Sequence, residues 1–242
     1  MRDLELLASV PIFSDLHSTD LDELHSRMSK RSYAKNDIIL MEDEFGDTFF
    51  IISNGSIKIT RVSEDGREVI LAILGEGDFF GEMSLLDGET RSANAIAHGD
   101  CHVLILKRHD FLLFLEKFPK IAISLLIELA GRIRKTDQQI ESFALSDAEQ
   151  RIGVTILRLA EELGTIRKGV VHISKLPYQQ DIANMAGTSR ETVSRMLKLL
   201  EEKSLISKKT ELDLDMNLSH LPQFLNRVFS KVSLIARKFK LR

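Results

Sequence analysis

The spacing of apolar and polar positions changes character several times along the chain. Residues 3–30 carry apolar positions at the spacing of short helices; Pro11 breaks the first, and Ser18 or Asp20 is placed to cap the second. From Ser32 to about Leu106 the pattern becomes short β-rich runs separated by turn residues. Phe49-Phe50-Ile51-Ile52 and Ile57-Lys58-Ile59 flank Asn54-Gly55, while Val62 and Val69-Ile70-Leu71 flank Asp65-Gly66. Asn-Gly and Asp-Gly tolerate the positive φ values of tight turns, so both pairs are expected to close hairpins. Many short antiparallel strands at this spacing predict a β-barrel or jelly roll.

Helical periodicity returns from about Pro119 to Leu145. Leu126, Ile133 and Ile140 recur every seven residues, and Leu129, Thr136 and Phe143 form a second row. Such a stripe builds a two-helix seam, although packing on the β-rich part is an alternative use for some of it. Arg132, Arg134, Lys135, Gln138 and Gln139 fall outside the seam and can be solvated. Thr136 is its polar member: either it bonds its own helix backbone, or it faces something polar at an interface. Ser146-Asp147 can restart the chain, and residues 151–163 are amphipathic. Gly164 and Gly169 frame an expected loop before one short strand, Val170-Val171-His172-Ile173. Residues 180–205 then read as two helices meeting at Gly187.

A length of 242 residues fits two modest domains, and 43% hydrophobic with 29% charged content is ordinary for a globular protein. The net charge of -3 argues against a uniformly basic nucleic-acid binder but leaves room for a local basic surface. Cys101 is the single cysteine, which excludes an intrachain disulfide, a four-cysteine zinc site and a cysteine-ligated iron–sulfur cluster. The acidic start and the lack of a long apolar run predict a cytoplasmic protein without a membrane span.

Two segments carry chemistry. In Phe80-Gly81-Glu82-Met83-Ser84-Leu85-Leu86-Asp87-Gly88-Glu89-Thr90-Arg91-Ser92-Ala93, a glutamate and an Arg-Ser pair stand nine residues apart around a small-residue turn. Gly81 lets a backbone approach a ligand, and Glu82 to Leu86 can form one helical turn with exposed N–H groups. A cyclic nucleotide needs a carboxylate for its ribose 2′-hydroxyl and a guanidinium for its phosphate, which Glu82 and Arg91 supply, with Ser92 adding a donor. The alternative for any Glu/Arg combination is a surface ion pair. The second segment runs from Gln180 through Gly187, Thr188 and Ser189 to Leu200. Ile182, Ala183 and Ala186 give one buried face; Val193, Met196, Leu197 and Leu200 give another. Ser189 is a candidate N-cap, and Arg190, Glu191, Ser194, Arg195 and Lys198 are left for the surface, as a helix that reads base edges requires. For Glu191 the alternative is a favourable first-turn charge, and for Arg195 and Lys198 a solvated face.

With Gly77-Asp78-Phe79-Phe80 before it, the first segment resembles the phosphate-binding cassette of the cyclic-AMP receptor protein and fumarate-nitrate regulator (Crp/Fnr) family. Ser189-Arg190-Glu191-Thr192-Val193 followed by Arg195 resembles that family's recognition helix, and the resemblance spans roughly residues 8–207. It implies an α+β chain with an N-terminal cyclic-nucleotide-binding β jelly roll, a long dimerisation helix and a C-terminal winged helix-turn-helix domain. The implied divisions are a sensor domain over 1–118, the helix over 119–145, the DNA-binding domain over 146–215 and a basic extension over 216–242. The implied ligand site comprises Gly81, Glu82, Met83, Ser84, Arg91, Ser92, Arg132, Thr136 and Asp137. Thr136 and Asp137 align with the adenine-contacting pair, and Asp137 departs from the usual Ser or Asn, since a carboxylate accepts but cannot donate. The implied DNA contacts are Gln180, Thr188, Ser189, Arg190, Glu191, Ser194, Arg195 and Lys198.

The function implied is a homodimeric, non-enzymatic transcription regulator with cAMP as effector and no required cofactor. It would bind double-stranded DNA at a palindromic operator with half-sites similar to TGTGA and act on RNA polymerase. Gating by haem, by a cyclic dinucleotide or by no ligand is the alternative, and a nucleotide-metabolising enzyme a remote one. A haem would need an axial ligand, for which His98, His102 and His109 are available, although the plainer reading of each is a surface or strand-end histidine. The wing after the second helix is only weakly written in Ser207 to Asp215. Residues 216–242 carry six basic and no acidic residues with helically spaced apolar positions, which suits a capping helix better than a phosphate-binding or membrane-surface helix.

Overall fold

The computed structural model describes residues 2–174, 176–210 and 212–217. In chain order the elements are α1 (Arg2–Ser9), a 3-10 turn (Pro11–Phe13), α2 (Ser18–Ser26), β1 (Ser29–Tyr33), β2 (Ile38–Leu40), β3 (Thr48–Asn54), β4 (Ile57–Val62), β5 (Glu68–Leu74) and β6 (Phe79–Phe80). There follow α3 (Met83–Asp87), β7 (Asn94–Ala97), β8 (Cys101–Lys107), α4 (Arg108–Lys117), α5 (Pro119–Leu145), α6 (Ala148–Leu163), β9 (Gly164–Arg167) and β10 (Val170–Ile173). The last are α7 (Gln179–Ala186), α8 (Arg190–Glu202), β11 (Ile206–Lys208) and β12 (Leu214–Asn217). Two compact units divide between Thr136 and Asp137, inside α5. No described helix is long and apolar enough to cross a membrane.

The first unit is a jelly roll of two antiparallel four-stranded sheets, ordered β1-β8-β3-β6 and β2-β7-β4-β5. Strand alternation explains its double core. Phe50 and Ile52 of β3 and Val103 of β8 point between the sheets, where they meet Ile57, Ala95 and Ala97. Their neighbours Phe49, Ile51, Leu104 and Leu106 point the other way, onto Leu7, Phe13, Leu24, Phe111 and Phe114 of the helical segments. A sheet covered on both faces needs apolar residues at every position of its central strands, which is why β3 reads Phe-Phe-Ile-Ile. Phe49 stacks on Phe111 with centroids 4.6 Å apart, and Phe50 on Phe80 at 4.8 Å, one pair on each side of the sheet.

Several expectations are corrected. Asn54-Gly55 does not close a hairpin: β3 pairs with β6 and β8, and β4 with β5 and β7, so this turn crosses from one sheet to the other. Gly55 has φ +87 and no room for a side chain, because a Cβ there would lie 2.5 Å from the Asp100 carbonyl oxygen. Asp65-Gly66 does close a hairpin, with Val62 opposite Glu68. The helical start ends sooner than expected, since β1 begins at Ser29, and the N-cap of α2 is His17, without a side-chain cap bond. The expected loop from Gly164 to Gly169 is a hairpin: Gly164–Arg167 pairs with Val170–Ile173, and Lys168 (φ +49) and Gly169 (φ +76) make its two-residue turn.

In the second unit Asp147 caps α6 in a reciprocal capping box with Gln150. A four-stranded sheet, β11-β12-β10-β9, contains the wing that the sequence wrote weakly, with Ile206 opposite Met216. β12 runs to Asn217 and buries Met216, past the expected end of the domain at Asp215. The remainder of the basic extension lies outside the described residues. In α5, Leu126, Ile133 and Ile140 are 65%, 62% and 60% exposed, while Leu129 packs on the jelly-roll core.

Candidate functional site

Gly77 and Asp78 bond to Ile52 of β3 and lead into β6, which aligns Phe79 and Phe80 against Ile51 and Phe50. Gly81 then turns at φ +82, where a Cβ would stand 2.9 Å from Arg91 Nη1 and 3.0 Å from the Thr48 carbonyl oxygen. The short helix α3 ends at Gly88, whose φ of +79 lets its N–H donate to the Ser84 carbonyl. The chain comes back to place Arg91 beneath this helix.

Arg91 is 4% exposed. Its Nη1 donates to the Gly81 carbonyl at 2.7 Å and to Ser84 Oγ at 2.8 Å; its Nη2 donates to the Thr48 carbonyl at 2.8 Å and to Thr48 Oγ1 at 3.2 Å. Among the described residues these acceptors are all neutral, and the buried Nε–H has no partner. Burial lowers the Arg91 pKa, opposed by the charges of Asp47 and Glu82.

Glu82 is 2% exposed and pairs with Arg132 of α5 at 2.9 Å. Arg132 also donates to the Phe79 carbonyl at 2.7 Å and lies 4.5 Å above the centre of the Phe79 ring. Burial raises the Glu82 carboxyl pKa, opposed by the Arg132 charge, by a backbone hydrogen bond and by Arg91. The surface ion pair weighed as the alternative does not form, since both groups are buried and Glu82 pairs elsewhere.

The structure thus brings Gly81, Glu82, Ser84, Arg91 and Arg132 together. Met83 and Ser92 sit at the exposed rim, with Ser92 Oγ 3.6 Å from Met83 Sδ. Thr136 is exposed and gives its hydroxyl to the Arg132 carbonyl at 3.0 Å, the backbone-bonding alternative; Asp137 is also exposed. Sequence reasoning missed the segment from Asp43 to Thr48. The Asp43 N–H donates to the Arg91 carbonyl at 2.9 Å, and the Arg91 N–H to the Glu44 carbonyl at 2.8 Å. A Cβ on Gly46 would lie 1.9 Å from Arg91 Nε. The available signal was Gly46-Asp47-Thr48, a glycine directly ahead of the most apolar strand. Among the described residues no three His, Cys, Asp or Glu side chains are grouped to hold a metal.

In the second unit Gly187 adopts φ +58 at the end of α7, and Ser189 caps α8 by accepting from the Thr192 N–H at 3.3 Å. Val193, Met196, Leu197 and Leu200 are buried; Arg190, Glu191, Ser194, Arg195 and Lys198 are exposed. Arg190, Glu191, Ser194 and Arg195 line a cleft of about 320 Å³ with Gln179, a residue outside the DNA contacts expected from the sequence. Gln180 instead donates to Asn184 Oδ1 at 2.9 Å, and the Thr188 N–H donates to the Ala183 carbonyl at 3.0 Å. Its own backbone N–H, then Ser189, Arg190 and Arg195, hold the Glu191 carboxyl below the usual range. Arg195 Nη2 lies 3.3 Å from Thr192 Oγ1, and Lys198 faces Glu202 at 4.0 Å.

The family model of the cyclic nucleotide-binding domain matches residues 30–118, and that of the Crp-like helix-turn-helix domain matches residues 150–216. The chain is 33% identical over 196 residues to the cyclic AMP receptor protein of Thermus thermophilus, covering 81% of this chain and 88% of that one. It is 31% identical to the CRP-like cAMP-activated global transcriptional regulator of Mycobacterium tuberculosis, covering 80% and 86%. Among solved structures, the catabolite activator protein of Thermus thermophilus aligns at TM-score 0.52 and 29% identity over 90% of this chain and 99% of that one. FixK2 of Bradyrhizobium japonicum shares the fold at TM-score 0.73 and 24% identity, over 85% and 99%. Both halves of the molecule and their order along the chain therefore agree with one assignment: the protein is a DNA-binding transcription regulator of the Crp/Fnr family.

Proposed function

We propose that this regulator is gated by a cyclic nucleotide, with cAMP as the effector. Arg91 holds the cyclic phosphate, and Glu82 accepts from the ribose 2′-hydroxyl. Gly81, Met83, Ser84 and Ser92 provide the backbone and hydroxyl groups around the phosphate, and Arg132, Thr136 and Asp137 address the ligand from α5. One observation carries this proposal: Arg91 is a buried cation among neutral acceptors, with an Nε–H that has no partner. A buried, incompletely bonded guanidinium is costly, and an anion entering the cassette offsets that cost. A cyclic phosphodiester brings a single negative charge joined to a ribose, which matches a guanidinium and a carboxylate held in one cassette. The names of the curated relatives, which include cAMP-activated regulators, support cAMP over other cyclic nucleotides.

The exposed row Leu126, Ile133 and Ile140 supports a homodimer joined along α5. Two copies of α8 then meet an inverted repeat with half-sites about one helical turn apart, similar to TGTGA, and RNA polymerase is the partner downstream. The working division remains a sensor over 1–118, a dimerisation helix over 119–145 and a DNA-binding domain from 146 onward. Calorimetry against a panel of cyclic mono- and dinucleotides, with operator affinity measured for each, tests the gating. Saturable cAMP binding that raises operator affinity is expected. Binding of a cyclic dinucleotide alone, or a Soret band in the purified protein, would replace the effector. Unliganded operator binding that no member of the panel alters would remove gating altogether.

A further inference from the structure

One contact in the DNA-binding unit belongs to neither site described above. Arg151, in the first turn of α6, donates Nε to the Ala186 carbonyl at 2.8 Å, Nη2 to the Gly187 carbonyl at 3.1 Å and Nη1 to the Ser146 carbonyl at 3.0 Å. Its guanidinium carbon lies 5.7 Å from the centre of the Phe143 ring. Phe143 in turn rests on Gly187, where a Cβ would approach its Cε1 to 2.7 Å. Three segments therefore meet at one guanidinium: the last turn of α5, the start of α6, and the turn that launches α8.

The chemistry suits the place. The final carbonyls of a helix lack intrahelical donors and carry partial negative charge; α7 presents that of Ala186 here, with the carbonyl of its left-handed cap Gly187 beside it. A planar fork satisfies both and still reaches a third carbonyl, which an ammonium on a flexible stem cannot do in one fixed geometry. Arg151 also springs from a rigid base, because the Asp147–Gln150 capping box fixes the first turn of α6. The turn cannot relax around Phe143, since Gly187 is held at φ +58 with the ring against it.

We infer that Arg151 is a positioning residue for sequence readout: by tying Ala186 and Gly187 to Ser146 and Phe143, it fixes the angle at which α8 leaves the turn. Base edges are read by side-chain forks that must arrive in register, whereas phosphate contacts are sequence-independent and tolerate small shifts. Loosening Arg151 therefore costs specificity before it costs general affinity.

The test uses full-length Arg151→Gln and Arg151→Lys, with dissociation constants for an operator and for a scrambled duplex of equal length at several salt concentrations. The operator-to-scrambled ratio is expected to fall about tenfold in Arg151→Gln and by less in Arg151→Lys, with scrambled affinity and its salt slope unchanged. A purely structural role would lower the active fraction and move both duplexes together, leaving the ratio intact; that result overturns the inference. So does a parallel loss on both duplexes with a shallower salt slope, which would make Arg151 a phosphate contact. If Arg151→Gln fails to fold, the ratio in Arg151→Lys decides on the same terms.

Discussion

Arg91 and Arg190 each stand beside a glutamate and a serine, yet the two groups of residues are built for different work. Arg91 is enclosed, its Nη groups spent on Gly81, Ser84 and Thr48, and Glu82 is enclosed beside it with Arg132 as partner. Arg190, Glu191 and Ser194 stand in solvent on a helix whose other face is fully buried. Enclosure makes each group expensive to leave unmatched, so a few contacts decide everything or nothing. Exposure makes each contact cheap and separable, so readout is assembled from independent pieces. A switch needs the first arrangement and an address needs the second.

The largest test of that contrast is Arg91→Ala, expected to cost about 2–5 kcal/mol of effector affinity by calorimetry while unliganded DNA binding stays as it was. Effector affinity equal to that of the native protein would dissolve the contrast at its enclosed end. Next in size is Glu191→Ala. Discrimination at a single base pair should fall about 5- to 150-fold in a binding-site selection, with non-specific affinity nearly unchanged. Losses spread over all positions would show that the helix is not read piecewise. Lys198→Ala should be smaller still: all sequences weaken alike, and the slope of log affinity against log salt drops by about one unit.

The smallest effect is on stability against pH. Burial raises the Glu82 carboxyl pKa above its ordinary 4.5, so its contribution to stability is full below that value and is lost as pH rises through the folded value. Glu82→Gln should flatten this decline in urea titrations carried out from pH 4 upward. An unchanged slope would mean that the Arg132 charge cancels the burial.

The two ends were also unequally legible. The cassette and α8 could be found from residues close in sequence, because each concentrates its chemistry within a few turns of chain. Gly46 and Thr48 could not, since their significance arises only when β3 lies beside Arg91, more than forty residues on. Arg132 entered through family resemblance alone; by periodicity it was a solvated seam neighbour, and its pairing with Glu82 spans fifty residues. Asn54-Gly55 and Asp65-Gly66 carry the same local signal and part company because the sandwich needs a crossover at one and a hairpin at the other. β9 was missed because Lys168-Gly169 supplies two positive φ values without the asparagine or aspartate that usually announces them.

The sheet that carries β3 has a consequence for how the sensor comes apart. One of its faces is the inner wall of the sandwich and the other is the floor under α1, α2 and α4, so neither layer can open without exposing the strand they share. Amide protons of Ile51 and Ile52 should exchange with deuterium only when the whole unit unfolds, giving one protection energy for helices and strands alike. Removing the first two helices would then not trim the sensor but unmake it, because Thr48, at the head of that strand, is what Arg91 rests on.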